Sequence, residues 1–130
     1  MRELKSILYV EDDLHVRTTA KLELEVIGKF TVRDCGSGQE ALLAAQDFAP
    51  DLIVLDVMMP ELDGLGLLAR LRSLPHLAET PALFVTGLTT SSDIARYTEA
   101  GAIGVIAKPL VPLRLADQLH ALWDRRCAMA

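Results

Sequence analysis

Four short apolar runs, each halted by polar or charged residues, constrain this chain more than any other feature. They are Ile7-Leu8-Tyr9-Val10 before Glu11-Asp12-Asp13, Leu52-Ile53-Val54-Leu55 before Asp56, Ala82-Leu83-Phe84-Val85 before Thr86-Gly87, and Ile103-Gly104-Val105-Ile106-Ala107 before Lys108-Pro109. Runs of this length predict strands buried on both faces, as at the centre of a parallel sheet. Parallel strands align their carboxyl ends, and open α/β sheets bind ligands just beyond those ends. The tips should therefore share one sheet edge and gather Glu11, Asp12, Asp56, Thr86 and Lys108 there. Singly, each has an ordinary role: an acid pair opens a helix, an aspartate caps one, a lysine is solvated. Four apolar strands all ending in reactive side chains are not accounted for that way.

Between the runs the spacing turns helical. Val16, Ala20, Leu24 and Ile27 form one apolar stripe that Gly28 should stop. Phe30-Thr31-Val32 reads as a short second strand near an edge. Ser37-Gly38-Gln39-Glu40 has capping-box spacing ahead of Ala41-Leu42-Leu43-Ala44-Ala45, so a second helix starts there. Asp63-Gly64 precedes a third, with Leu65, Leu68 and Leu71, ending near Leu74-Pro75. Thr90-Ser91-Ser92-Asp93 opens a fourth that includes Ile94 and Tyr97 and turns at Gly101. Leu115, Leu119 and Leu122 mark a fifth over Leu113 to Trp123, and the tail Arg125 to Ala130 is expected to fray. Five strands alternating with five helices predict a three-layer α/β/α sandwich around a parallel sheet.

Length and composition agree. One domain over residues 1–130, with its core at about 5–123, fits the 130-residue length and the 51% hydrophobic content. The net charge of −5 argues against nucleic-acid binding by this segment, since phosphate contacts need clustered Lys and Arg. Cys35 and Cys127 lack metal-ligand spacing, which leaves a reducing cytoplasm as the default. No apolar stretch approaches the roughly 18 residues of a membrane span. The start Met1-Arg2-Glu3-Leu4-Lys5 has no signal-peptide core.

Acids crowded beside one lysine suit Mg²⁺, which takes a few carboxylates and keeps waters for an oxygen-rich substrate. Asp12 and Asp56 are the expected direct ligands, with Glu11 holding a metal-bound water and the Met58 backbone carbonyl adding another oxygen. With Mg²⁺ and Lys108 neutralising phosphoryl oxygens, Asp56 can attack as a carboxylate nucleophile and become an aspartyl phosphate. Thr86 would hydrogen-bond a phosphoryl oxygen after transfer. Phosphoryl transfer asks mostly for positioning and charge neutralisation, so no strong general base is needed.

This ordered set resembles the receiver domain of two-component response regulators, over roughly residues 5–123. It carries Glu11-Asp12, Asp56 followed by Met59-Pro60 and Asp63-Gly64, Thr86, and Lys108-Pro109. The resemblance implies a flavodoxin-like fold with strand order 2-1-3-4-5 and Mg²⁺-dependent phosphorylation of Asp56 by a sensor histidine kinase or a phosphotransfer protein. It also implies a cis peptide between Lys108 and Pro109 and a downstream protein or output domain as recipient of the signal. A homodimer through the last two helices is a further arrangement the resemblance allows. Ile103-Gly104, however, replaces two acids that help build its charged form in receivers of winged-helix transcription factors.

Other positions also depart from the pattern. Val105 stands where receivers commonly carry an aromatic switch residue, and Gly87 where an alanine often follows the hydroxyl residue. Met58 and Leu88 flank the phosphorylation site and are both apolar, so they are expected to shield it from water. The sequence fits a receiver that acts alone and equally the front end of a longer regulator. A haloacid-dehalogenase-type enzyme also uses an aspartate nucleophile and Mg²⁺, but it places a second aspartate two residues on, where this chain has Met58. The expectation is therefore a signalling module that catalyses only its own phosphorylation and dephosphorylation.

Overall fold

The computed structural model describes residues 3–129, with side chains through residue 126. In chain order its elements are β1 (Ser6–Val10), α1 (Leu14–Val26), β2 (Thr31–Cys35), α2 (Gly38–Ala45), β3 (Leu52–Asp56), α3 (Gly64–Arg72), a 3-10 turn (Pro75–Leu77), β4 (Ala82–Thr86), α4 (Ser91–Glu99), β5 (Val105–Ala107) and α5 (Leu115–Met129). The strands form one sheet of order β2-β1-β3-β4-β5, every neighbouring pair parallel. This is the expected flavodoxin-like arrangement.

Both faces of the sheet are covered, which is why its inner strands lack polar alternation. Ile7, Tyr9, Leu52, Val54, Leu83 and Val85 project to one side and pack with Leu24 of α1 and Leu119 of α5. Leu8, Val10, Ile53, Leu55 and Phe84 project to the other and pack with Ala41 of α2, Leu68 of α3 and Tyr97 of α4. All of these are buried. Each large aliphatic side chain so placed contributes roughly 1.5–3 kcal/mol of burial free energy.

The edges and helix ends depart from the sequence expectations. β2 lies one residue later than Phe30 and runs on to Cys35; Phe30 itself is buried just ahead of it. β5 begins at Val105, although Ile103 N–H still donates to Ala82 O at 2.8 Å, so the preceding backbone follows β4 without full strand geometry. α1 ends as expected near Gly28, yet the left-handed residue is Lys29, with φ 60. Gly28 is needed for space, since a Cβ there would meet the Phe30 ring at 2.6 Å. Ser37 Oγ caps α2 by accepting the Glu40 N–H, but the Glu40 carboxylate accepts from Gly36 N–H, one residue off the expected capping box.

α5 starts at Leu115, two residues late, because Leu113 is left-handed with φ 64. The Glu23 carboxylate of α1 holds that corner, accepting from Leu113 N–H at 3.0 Å and from Ala116 N–H at 3.2 Å. A side chain from another helix thus satisfies donors that the first turn of α5 leaves open. At its other end α5 continues to Met129, so the segment from Arg125 is helical rather than frayed; Ala130 and Met1-Arg2 lie outside the described residues. No helix among the described residues is long and apolar enough to cross a membrane.

Candidate phosphoacceptor site

The strand tips do converge. Glu11, Asp12 and Asp56 each offer a carboxylate oxygen, and these oxygens lie within 4.8 Å of one another. Lys108 Nζ, at the end of β5, reaches Glu11 Oε1 at 2.6 Å and Asp56 Oδ2 at 3.4 Å. Thr86 ends β4 beside them, and its carbonyl accepts from Lys108 N–H at 2.9 Å. The Lys108–Pro109 peptide is cis.

Local structure explains each position. At the β1 tip, Glu11 N–H donates to Cys35 O at 3.0 Å, while Arg17 reaches back from α1 to donate to Glu11 O at 2.9 Å. Arg17 also pairs with Asp34 at 3.3 Å, so the tip is tied to β2 as well. Asp13 takes the capping role, accepting from Val16 N–H, and Asp12 is left exposed at the mouth of the cluster. Beyond β3, the Met58 N–H donates to Asp56 Oδ1 at 3.3 Å. α3 begins hard against this turn: Gly64 N–H donates to Val57 O at 2.8 Å, and a Cβ on Gly64 would collide with the Asp56 carbonyl oxygen. Gly64 supplies that close approach, and Asp63 caps α3 by accepting from Gly66 N–H at 2.8 Å.

Burial sets the electrostatics. Asp56 is 4% exposed and Glu11 1% exposed. Desolvation, followed by repulsion from Glu11, pushes the Asp56 carboxyl up to about 7, with Lys108 opposing the shift. Desolvation pulls the Lys108 ammonium downward, but its contacts with Glu11 and Asp56 outweigh that and leave it raised. Three carboxylates facing one ammonium leave an excess of negative charge in a site made of hard oxygen donors. That donor set fits Mg²⁺, which would relieve the repulsion raising Asp56.

The cluster opens into a cavity of about 1090 Å³ that runs along α1 and the loop leading to α5, lined by Leu22 and Val26 on one side and Val111 and Leu113 on the other. Met58 also lines it, yet the residue is 62% exposed. Both apolar flanks are open to solvent, Leu88 less so than Met58. Sequence reasoning also missed the Tyr97 hydroxyl, which donates to Leu88 O at 2.8 Å, and the Glu23 brace. Both depend on tertiary approach and leave no local signature.

The chain belongs to the response regulator receiver domain family, whose sequence pattern matches residues 7–120. Among its relatives, a probable transcriptional regulator, ycf27 of Cyanophora paradoxa, is 36% identical over 93% of this chain and 49% of its own length. The transcriptional regulatory protein PrrA of Mycobacterium tuberculosis is 34% identical over 95% of this chain and 52% of its own. The chain thus spans about half the length of the curated relatives it matches. Among solved structures, the chemotaxis protein CheY4 of Vibrio cholerae superposes with a TM-score of 0.84 at 28% identity, covering 92% of this chain and 99% of that one. The receiver domain of a signal transduction histidine kinase from Syntrophus aciditrophicus gives 0.77 at 34%, covering 92% and 90%.

Proposed function

We propose that this chain is a phosphoacceptor receiver, in which Asp56 takes a phosphoryl group from a phosphohistidine on a sensor histidine kinase or phosphotransfer protein. The observation that carries this is the meeting of Glu11, Asp12, Asp56, Thr86 and Lys108 at one sheet edge. Residues 1–130 act as one receiver, working in the cytoplasm and without direct contact to nucleic acid. Their state passes to a downstream protein or an attached output domain.

Glu11, Asp12, Asp56 and the Met58 carbonyl would hold Mg²⁺, which supplies charge neutralisation for the incoming phosphoryl oxygens. An oxygen of the ionised Asp56 forms the new bond to phosphorus while the bond from phosphorus to the donor nitrogen breaks, and that nitrogen keeps the electron pair. The Lys108 ammonium, already against Asp56 Oδ2, pairs with one phosphoryl oxygen. Thr86 Oγ1 accepts from Leu88 N–H, so its own proton is free to be donated to another. No acid/base side chain stands two residues after Asp56, where Met58 is largely exposed, which argues against turnover of outside substrates.

Incubation with Mg²⁺ and acetyl phosphate tests the assignment. The expected product carries one acid-stable, base-labile phosphoryl group, detected by mass spectrometry. Asp56→Asn should abolish it, because an amide is a poor nucleophile; a phosphoryl group that persists in that variant would overturn the reading.

A further inference from the structure

Thr86 and helix α4 are joined through a single residue. Leu88 N–H donates to Thr86 Oγ1 at 3.0 Å, and Leu88 O accepts the Tyr97 hydroxyl at 2.8 Å. Tyr97 is fully buried, with its ring 5.2 Å from that of Phe84, centroid to centroid. Val105 packs against the same cluster and faces Phe84 across the β4–β5 pairing. The phenol therefore packs on Phe84, the strand neighbour of Val105, and its hydroxyl is held by one carbonyl of the loop that follows Thr86.

A buried hydroxyl that loses its partner is destabilised by more than the bond itself contributes, so Tyr97 penalises loop conformations that withdraw the Leu88 carbonyl. The same loop keeps the Leu88 N–H on Thr86 Oγ1, which occupies a lone pair of that hydroxyl and directs its proton elsewhere. Gly87 is the joint between them. A Cβ there would meet nothing within 4 Å, and the residue is not left-handed. The present conformation has no need of a glycine at 87, whereas a loop that changes conformation does.

We propose that Tyr97 is a positioning residue for the Thr86 hydroxyl, acting through the two peptide groups of Leu88, and that it makes α4 the element that responds when Thr86 moves. This rests on the reading of Thr86 as a phosphoryl-oxygen donor. Movement of Thr86 toward Asp56 draws on Leu88 N–H and shifts its carbonyl, and the bond from that carbonyl carries the pull to Tyr97 in the last turn of α4. The capping box of Thr90 and Asp93 keeps the first turn of α4 intact, so the displacement is delivered to the helix as a body.

Tyr97→Phe keeps the ring and deletes the hydroxyl, and Thr86→Val keeps the shape and deletes the acceptor. In the metal-free protein, amide exchange at Leu88 should quicken roughly 2- to 10-fold in Tyr97→Phe, the loss of about one hydrogen bond. Affinity for beryllofluoride with Mg²⁺ should fall by a similar factor, and adding Tyr97→Phe to Thr86→Val should weaken it no further. Leu88 exchange equal to wild type, or losses that multiply in the double variant, would overturn the proposal. Should Tyr97→Phe not fold, Thr86→Val still decides: Tyr97 ring resonances must shift, and unchanged resonances refute the link. A wild type that fails to bind beryllofluoride contradicts the phosphoacceptor reading, and this inference with it; unchanged Leu88 exchange contradicts the inference alone.

Discussion

Asp56 is held in tension between burial and function. Its carboxyl, pushed up to about 7, binds a proton more tightly in the folded chain than in the unfolded one, where the ordinary value is 3.8. A folded pKa raised in this way contributes stability that is fully present below about pH 4 and is lost as pH rises through about 7. Asp56→Asn does not titrate. Without metal it should therefore match the wild type near pH 4 and exceed it above pH 7 by on the order of 2–4 kcal/mol in chemical denaturation. Mg²⁺ should narrow that gap at pH 8 by favouring the charged wild-type carboxylate. A gap that is constant across pH would show that burial and Glu11 do not burden Asp56 as described.

Asp12 differs from its neighbour in having no capping task, which Asp13 performs. Asp12→Ala should weaken Mg²⁺ binding at least tenfold in a calorimetric titration while leaving metal-free stability unchanged or up to about 1 kcal/mol higher, since one like charge is removed. A clear loss of metal-free stability would instead mark Asp12 as structural.

At the scale of elements, the N-terminus of α3 sets the turn that presents Asp56. Gly64 sits so close to the end of β3 that a Cβ would overlap the Asp56 carbonyl and come within 3.0 Å of Val57 Cα. Gly64→Ala should cost about 1–3 kcal/mol, because the obstacle is backbone and not a flexible side chain. Denaturant midpoints measure this, and an unchanged midpoint would refute the close approach. The same scale shows what was legible in the sequence. β1, β3 and β4 were plain, because strands buried on both faces admit no polar alternation. The edge strands β2 and β5 were misplaced by one to three residues at their ends, since half-exposed strands carry a weaker pattern. The start of α5 was misjudged because Glu23, 90 residues away from Leu113 in sequence, decides it.

For the molecule as a whole, the site was more legible than the switch. Strand tips of one parallel sheet must lie along one edge, so Glu11, Asp12, Asp56, Thr86 and Lys108 could be brought together from topology alone. The link from Thr86 through Leu88 to Tyr97 could not, because it depends on how one buried ring meets one carbonyl. The chain covers about half of relatives such as ycf27 and nearly all of a structure such as CheY4. In either setting the proposed event is a covalent change at a single carboxylate. Treating the protein with acetyl phosphate and Mg²⁺, reducing it with borohydride and mapping its peptides locates that change, because reduction turns an aspartyl phosphate into homoserine. The account predicts homoserine at position 56 alone and none when Mg²⁺ is withheld; homoserine at position 12, or at no position, would contradict it.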